Sequence, residues 1–210
     1  MGQCFMDLFA VLNYCNERHP TLAWRLSKMT YRVILADPPW TFSVWNAEKS
    51  YRHASHKYDL MTTSQICELP VRDISDENCA LFLWATWPNI LDAFRVIESW
   101  GFAYRTLAWE WAKLNPSSIG FHIGMGYYTR SNPEPCLLSV RGKMAVSAHD
   151  VMALIVSPVR EHSRKPDEQY GKIERLYPDG PYLEMFARHK YSEKWDVWGN
   201  EIKSDVDLNV

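Results

Sequence analysis

The sequence predicts an α/β fold with a mostly parallel central sheet and helices on both of its faces. Three observations lead to this prediction. Strand-like and helix-like segments alternate along the chain, as they do in βαβ units. Several predicted strands are continuously apolar, such as residues 79–85, which is typical of strands buried on both faces. The chain has 210 residues, of which 47% are hydrophobic, so it is long enough to bury one core without disulfides or metals.

Seven segments have the composition of strands. The first covers residues 31–36 and ends before Pro38 and Pro39, because proline removes a backbone donor and fixes φ. The others are predicted at residues 79–85, 104–111, 135–141, 151–156, 182–187 and 195–198. Ligands of such sheets bind beyond the carboxyl ends of the strands. We therefore expect the segments after Ala36, Trp111 and Phe186 to meet at one edge.

Three helices are predicted between these strands. The first covers residues 63–69, with Thr62 or Thr63 as its N-cap residue. Residues 88–100 carry apolar side chains at helical spacing and end before Gly101. Residues 166–176 have acidic residues in the first turn, where the helix dipole favours them. Residues 41–60 and 114–133 are polar or glycine-rich and are predicted to be long loops, which are often functional.

The domain organisation is simple. We expect residues 29–202 to form the main domain and residues 203–210 a short tail. Residues 1–28 form an N-terminal extension, in which residues 6–16 have the pattern of a short amphipathic helix. The apolar part of this extension is too short and too polar at its flanks for a signal peptide or a membrane span, so no membrane partner is expected.

The charge and the cysteines argue against a strongly basic nucleic-acid-binding surface, a disulfide framework and a zinc site. The formal net charge is −2, so any polyanion would have to be bound by local clusters of cations. Residues 49–57 and 160–165 are candidates, and ordinary solvated surface is the alternative for both. The five cysteines form no CxxC pair, which argues against a disulfide framework and a zinc site. No metal site is expected, and a reducing, cytoplasmic compartment is favoured.

The strongest motif is Asp37-Pro38-Pro39-Trp40, directly after the first predicted strand. An amino group on a flat ring is a poor nucleophile because its lone pair is delocalised. A carboxylate and a carbonyl held rigid next to proline can accept hydrogen bonds from the two amino hydrogens and so free the lone pair. The aromatic ring that follows can stack on a base. The alternative is a strand that ends in a Pro-Pro turn with Trp40 buried in the core.

The sequence resembles the N6-adenine methyltransferase family typified by the catalytic subunit of the mRNA adenosine methyltransferase, and especially its compact bacterial and phage members. The resemblance covers residues 31–201. Its matching blocks lie at residues 34–40, 58–61, 81–84, 140–142, 162–168, 182–188 and 195–201. It implies a Rossmann-like class I methyltransferase fold, S-adenosyl-L-methionine as cofactor, and adenine in nucleic acid as substrate. It also implies that the chain works alone or in a homodimer or heterodimer.

The resemblance implies roles for the residues around the motif. Asp37, Pro38, Pro39 and Trp40 correspond to the catalytic segment, with Asp37 also close to the amine of the cofactor. The substrate side is expected to include Trp40 and three further residues, Lys57, Tyr58 and Glu134. For Glu134, a solvated loop acid is the alternative.

The cofactor side follows in the same way. Lys165 and Arg164 match positions near the methionine end of the cofactor, where a cation can pair with its carboxylate. The segment that flanks the ribose comprises Glu184, Met185, Phe186 and Arg188, and the adenosine end is closed by Asn200 and Glu201. No glycine follows the strand at Phe186, although related DNA enzymes usually have one there.

Alternative structural roles remain for many of these residues. Met185 and Phe186 would suit a core, Arg164 and Lys165 a charged helix entry, and Arg188 an ion pair with Asp196. Three tryptophans fit the core better than a ligand site, namely Trp84, Trp109 and Trp111.

Three functions remain open after this comparison. The first is adenine methylation, with DNA favoured over RNA as substrate. The second is a catalytically inactive nucleic-acid-binding subunit of a methyltransferase complex, although the intact Asp37 motif argues against it. The third is methyl transfer to another amine.

Overall fold

The computed structural model describes residues 30–41, 60–126, 128–161 and 163–208, and these ranges contain a seven-stranded sheet. The strands are β1 (Tyr31–Ala36), β2 (Ser75–Trp84), β3 (Ala103–Leu114), β4 (Glu134–Arg141), β5 (Leu154–Pro158), β6 (Tyr182–Met185) and β7 (Trp195–Trp198). Their order across the sheet is β5-β3-β4-β2-β1-β6-β7. The predicted N-terminal helix and most of the 41–60 loop lie outside the described residues.

The sheet is mostly parallel, as predicted. Strand β1 pairs in parallel with β2 and β6, β6 with β7, and β3 with β5. Only β4 among the described strands runs in the opposite direction, between β2 and β3. The carboxyl ends of six strands and the amino end of β4 therefore lie along one edge, which we call the carboxyl edge.

Helices cover both faces of the sheet. One face carries α1 (Thr63–Glu68), α2 (Val71–Ile74), a short 3-10 helix (Trp87–Asn89) and α3 (Ile90–Ser99), and the opposite face carries α4 (Glu168–Leu176). Thr62 caps α1, because its hydroxyl accepts from the N–H of Gln65 while the Gln65 side chain accepts from the N–H of Thr62. This reciprocal pair is a capping box, and it confirms the predicted helix start.

The core has two layers because successive side chains of a strand point to opposite faces. In β1, Ile34 packs with the α1 and α3 side chains, whereas Leu35 packs with those of α4. Trp100 follows α3 and joins it to α1, since its indole N–H donates to the carbonyl of Ile66 at 2.9 Å. Trp84 and Trp109 are fully buried, as predicted for core residues.

Several element boundaries differ from the prediction. Strand β3 continues past Trp111 to Leu114, and β2 begins at Ser75, four residues before the apolar run. Strand β6 ends at Met185 because Phe186 adopts a positive φ of 64°. Helix α2 was not predicted, since four residues are too few to show a helical period. None of the described helices has the length and apolarity to cross a membrane.

The packing of α3 leads to a stability prediction. Ile97 is 1% exposed, whereas Leu91 on the same helix is 76% exposed. We expect Ile97→Ala to lower the free energy of unfolding by about 2–5 kcal/mol, because it leaves a cavity in the core. Leu91→Ala is the matched control and should change it by less than about 0.5 kcal/mol. Equal effects in urea unfolding would contradict this packing.

Candidate active site

A cavity of about 720 Å³ opens at the carboxyl edge. Strand β1 pairs with β2 on one side and with β6 on the other, so the strand order reverses direction beside β1. Ligands of open α/β sheets bind at such switch points. The cavity wall includes Asp37–Trp40 after β1, Phe186–Arg188 after β6, and Asn200 and Glu201 after β7.

The turn after β1 is held by hydrogen bonds at several points. The N–H of Asp37 donates to the carbonyl of Met185, and the N–H of Met61 donates to the carbonyl of Pro39 at 2.9 Å. The carbonyl of Pro38 accepts from the N–H of Trp40 at 2.8 Å, which leaves one of its two lone pairs for a ligand. The turn is therefore rigid before any ligand binds.

Trp40 is only 4% exposed, although it contributes to the cavity wall. Its indole N–H donates to the carbonyl of Trp84 at 3.1 Å. The ring therefore belongs largely to the core, which was the alternative considered for it.

A chain of four alternating charges runs across the cavity wall. The ammonium of Lys165 lies 2.7 Å from Oδ2 of Asp37 and 3.0 Å from Oε1 of Glu134. The other carboxylate oxygen of Glu134, Oε2, lies 2.6 Å from the ammonium of Lys113. The side chains of Lys165 and Glu134 are 9% and 12% exposed, so these contacts are poorly screened by water.

The two carboxylates of this chain differ in proton affinity. Burial raises the pKa of Asp37, Lys165 opposes that effect, and the charge of Glu134 increases it. Burial also acts to raise the pKa of Glu134, but Lys165 and Lys113 outweigh burial and lower it. Burial acts to lower the pKa of Lys165, and the two carboxylates outweigh it and raise the pKa. Asp37 is therefore the more basic carboxylate of the site.

The structure argues against two of the alternative roles considered for this wall. Glu134 is not a solvated loop acid, because it is the first residue of β4 and contacts two lysines. Lys165 is not a charge at an exposed helix entry, because it is nearly buried against Asp37. Glu134 lies on this wall because β4 is antiparallel to its neighbours, which brings the amino end of that strand to the carboxyl edge.

Lys113 is the main residue that sequence reasoning missed. It lies on β3 two residues after Trp111, which is two after Trp109, so all three side chains share one face of the strand. A lysine that continues a row of buried tryptophans was a signal in the sequence. The strand predicted from the sequence ends at Trp111 and therefore does not include Lys113. Trp111 itself is 4% exposed and also lines the cavity.

The turns after β6 and β7 approach each other closely. Phe186 lines the cavity in the left-handed conformation, at the position where glycine was noted to be missing. Such strained residues concentrate at ligand sites. A Cβ added to Gly199 would lie 2.1 Å from the carbonyl oxygen of Ala187, so only glycine fits there. Arg188 pairs with Glu201 at 3.0 Å, whereas the alternative considered for it was a pair with Asp196.

Glu184 and Met185 do not lie on the cavity wall. Met185 is fully buried in the core, so its side chain takes the alternative role considered for it. Glu184 accepts a hydrogen bond from the hydroxyl of Tyr170 at 2.9 Å. Burial raises the pKa of Glu184 to about 7, the Tyr170 hydrogen bond opposes this, and the charge of Asp37 adds to it.

The structure brings together most of the residues expected at the site. The expected residues on the wall are Asp37, Pro38, Pro39, Trp40, Glu134, Arg164, Lys165, Phe186, Arg188, Asn200 and Glu201, and the unexpected ones are Thr86, Trp111, Lys113, His122, Val159, Arg160, Glu161, Ser163 and Ala187. Lys57 and Tyr58 lie outside the described residues, as does the cationic stretch at residues 49–57.

The second cationic stretch, residues 160–165, is largely neutralised by neighbouring acids. Arg160 makes two hydrogen bonds to Asp167, at 2.6 and 2.9 Å. Arg164 lies 3.3 Å from Asp167 and 3.4 Å from Glu161. These arginines form part of the cavity wall, and their acid partners reduce the attraction that the stretch can exert on a polyanion.

The sheet order, the cavity at the carboxyl edge and the acid–proline turn after the central strand define a Rossmann-like methyltransferase. Comparison with known proteins gives the family within this class. The MT-A70 family profile matches residues 31–201, and the chain belongs to this family.

Individual relatives agree with this assignment. The chain is 31% identical over 197 residues to the type II methyltransferase M.MunI of Mycoplasma sp, covering 85% of this chain and 80% of that protein. It is 31% identical to an N(6)-adenosine-methyltransferase MT-A70-like protein of Arabidopsis thaliana and 30% identical to human METTL3, an N(6)-adenosine-methyltransferase catalytic subunit. These two alignments cover 82% of this chain but only 24% and 28% of the relatives.

The environment of Glu184 leads to a prediction about pH. Its folded-state pKa of about 7 exceeds the ordinary value of 4.5, so the folded protein loses stability as pH rises between these values. Glu184→Gln stays neutral and can still accept from Tyr170. We expect the stability of this variant relative to the parent protein to increase by about 2–3 kcal/mol from about pH 5 to about pH 8.

Urea unfolding at both pH values measures this change. Glu98→Gln, which removes an exposed acid from α3, is the matched control. If Glu184→Gln and Glu98→Gln respond alike, Glu184 is not held in a desolvated site.

Proposed function

We propose that this protein transfers a methyl group from S-adenosyl-L-methionine to the N6 amine of adenine in DNA. The observation that carries this proposal is the position of the Asp37 carboxylate. It lies on the cavity wall at the switch point of the sheet and contacts Lys165. The carbonyl of Pro38, which accepts one hydrogen bond and has a second lone pair free, belongs to the same turn.

The geometry suits activation of an aromatic amine. The lone pair of N6 is delocalised into the ring, so the amine attacks poorly. Hydrogen bonds from the two N6 hydrogens to Oδ1 of Asp37 and to the carbonyl of Pro38 would localise that pair. Within the described part of the chain, Oδ1 of Asp37 receives no side-chain hydrogen bond, because Lys165 contacts Oδ2. The raised pKa of Asp37 also makes it a good acceptor for the proton that N6 must lose.

The other side of the cavity suits the cofactor. Arg164 lines this part of the cavity, and its guanidinium is a suitable partner for the cofactor carboxylate. Asn200 and Glu201 offer polar atoms to the adenosine end, beside Phe186 and Arg188. The cofactor supplies an electrophilic methyl group on its sulfonium. The negative charge of Asp37 favours the positive charge that develops on N6 as it accepts the methyl group.

The position of the motif also constrains how a base would enter. Asp37 follows a central strand and its side chain is 29% exposed, so an adenine stacked in a duplex cannot reach it. The base would have to leave the stack, as for other enzymes that act on bases. The nearly buried ring of Trp40 would border such a base and offers it little open stacking surface.

DNA is proposed before RNA because of the share of each relative that the alignment covers. The match that covers most of both chains is to a type II methyltransferase. The adenosine methyltransferases of Arabidopsis and human are aligned over only about a quarter of their length. The parts of those proteins beyond the matched domain have no counterpart in the alignment with this chain.

The role of Asp37 gives a direct test. Asp37→Ala removes the acceptor for N6 while Lys165 keeps its contact with Glu134, so we expect at least a ~100-fold loss of turnover with the fold retained. Glu98→Ala, on the exposed side of α3, is the control. Turnover and thermal unfolding should be measured on the same preparations. Near-normal methylation by Asp37→Ala would refute the assigned role.

The substrate is tested separately. The purified chain is incubated with labelled cofactor and with DNA or RNA oligonucleotides of matched sequence, and nucleosides are then identified by mass spectrometry. We expect N6-methyladenine in DNA. Label in RNA alone would change the proposed substrate, and label at another atom or in neither polymer would refute adenine-N6 methylation of nucleic acid.

A further inference from the structure

We propose that Lys113 is a positioning residue for this site: it neutralises Glu134, so that Lys165 remains committed to Asp37 and keeps that carboxylate ionised and oriented. This inference deepens the proposed function and rests on it for the identity of the reaction. Lys113 pairs with Glu134, and Glu134 contacts Lys165. Lys113 therefore acts on Asp37 through these two residues.

The chain of four alternating charges on the cavity wall holds equal numbers of positive and negative groups. Asp37, Lys165, Glu134 and Lys113 form a linear series of two carboxylates and two ammonium groups with a net charge of zero. Without Lys113, one lysine would serve two carboxylates in a poorly hydrated wall. Like charges that share such a site favour uptake of a proton by one of them. Lys113 therefore allows both carboxylates to remain ionised together.

The two carboxylate oxygens of Glu134 contact different lysines. Glu134 uses one oxygen for each lysine, with Oε2 at 2.6 Å from Lys113 and Oε1 at 3.0 Å from Lys165. Lys165 in turn lies closer to Asp37, at 2.7 Å, than to Glu134. The contact with Lys113 thus holds Glu134 in a rotamer that leaves the ammonium of Lys165 directed at Asp37.

The backbone of Lys113 is itself held from both sides. On one side it lies in register with Ser157 of β5. On the other, its N–H donates to the side-chain carbonyl of Asn132 at 3.1 Å, and the Asn132 amide donates back to the carbonyl of Lys113 at 2.8 Å. The ammonium also lies 4.9 Å from the ring centroid of Trp111, within the range of a cation–π contact. This support fixes where the charge is placed.

Several other charges face the same carboxylates. Lys165, Glu134 and Lys113 act on Asp37, and Glu184 lies on the adjacent strand β6 and feels the charge of Asp37. Glu110 of β3 feels the charge of Glu134, and the buried thiol of Cys136 on β4 feels both carboxylates. Lys113 and Lys165 are the cations among them, so the loss of Lys113 removes half of the positive charge.

The test is a charge-rescue experiment. Lys113→Met removes the ammonium and leaves an unbranched side chain that is one heavy atom shorter. We expect the acid limb of the pH–rate profile to move up by about one pH unit, so that kcat/KM falls by up to about tenfold on that limb and changes little above it. Lys113→Arg keeps the charge and should keep the acid limb in place. The exposed Lys143→Met is the control for loss of one surface lysine.

The second variant separates positioning from simple structural support. Lys113→Met with Glu134→Gln restores neutrality, because Asp37 and Lys165 then form a balanced pair. We expect the acid limb to return to its original position in this double variant, whatever its maximal rate. An unchanged acid limb in Lys113→Met, or an equally displaced limb in the double variant, would overturn the proposal.

A spectroscopic measurement keeps the test independent of turnover. Infrared difference spectra detect the C=O stretch of a protonated carboxyl. The spectra are recorded in a Glu184→Gln background, because the raised pKa of Glu184, about 7, would give a carboxyl band of its own. As pH rises, the band should persist to a pH about one unit higher in Lys113→Met than in the parent protein and in the double variant. If the parent protein methylates no nucleic acid, the proposed function fails while these spectra still decide the charge claim. Loss of the band at the same pH in Lys113→Met and in the parent protein would overturn the proposal.

Discussion

The contact of Lys165 with Asp37 and Glu134 is the interaction on which the site depends. It joins a loop before α4, the turn after β1 and the start of β4, which are distant in sequence. Ion pairs this deeply buried lose hydration, and their net contribution to stability is often small. These ion pairs instead fix the positions of the side chains, because separation of the partners would leave a desolvated charge without a counterion. The same constraint that holds the wall together therefore holds Asp37 where an amine could meet it.

This constraint also explains why the acid at position 37 and the acid at position 134 behave differently. Glu134 has two ammonium neighbours and Asp37 has one. The pKa of Glu134 is lowered and that of Asp37 is raised, although both are carboxylates in the same cavity. Environments that separate two pKa values in this way assign different roles to chemically similar groups. Asp37 is suited to accept a proton and Glu134 to carry fixed charge.

The rest of the fold positions these groups. The paired turns after β6 and β7 come within contact distance because Gly199 has no Cβ, and the left-handed Phe186 turns the chain sharply after β6. Together with the acid–proline turn they surround a cavity at the point where the strand order reverses. The membership in the MT-A70 family agrees with this arrangement, since the profile match spans the sheet from β1 to the turn after β7.

The sequence by itself determined the elements and the chemistry of the motif. Apolar runs predicted the strands that contain Leu35 and Leu81, and helical spacing predicted α3, because these signals depend only on neighbours along the chain. The same local logic placed Asp37 at the end of a strand. Only the tertiary structure decided which charges meet. Glu134 reaches Lys165 because β4 is antiparallel, and Lys113 reaches Glu134 because β3 lies beside β4. Strand order and direction arise from contacts between distant segments, and no period within either segment records them.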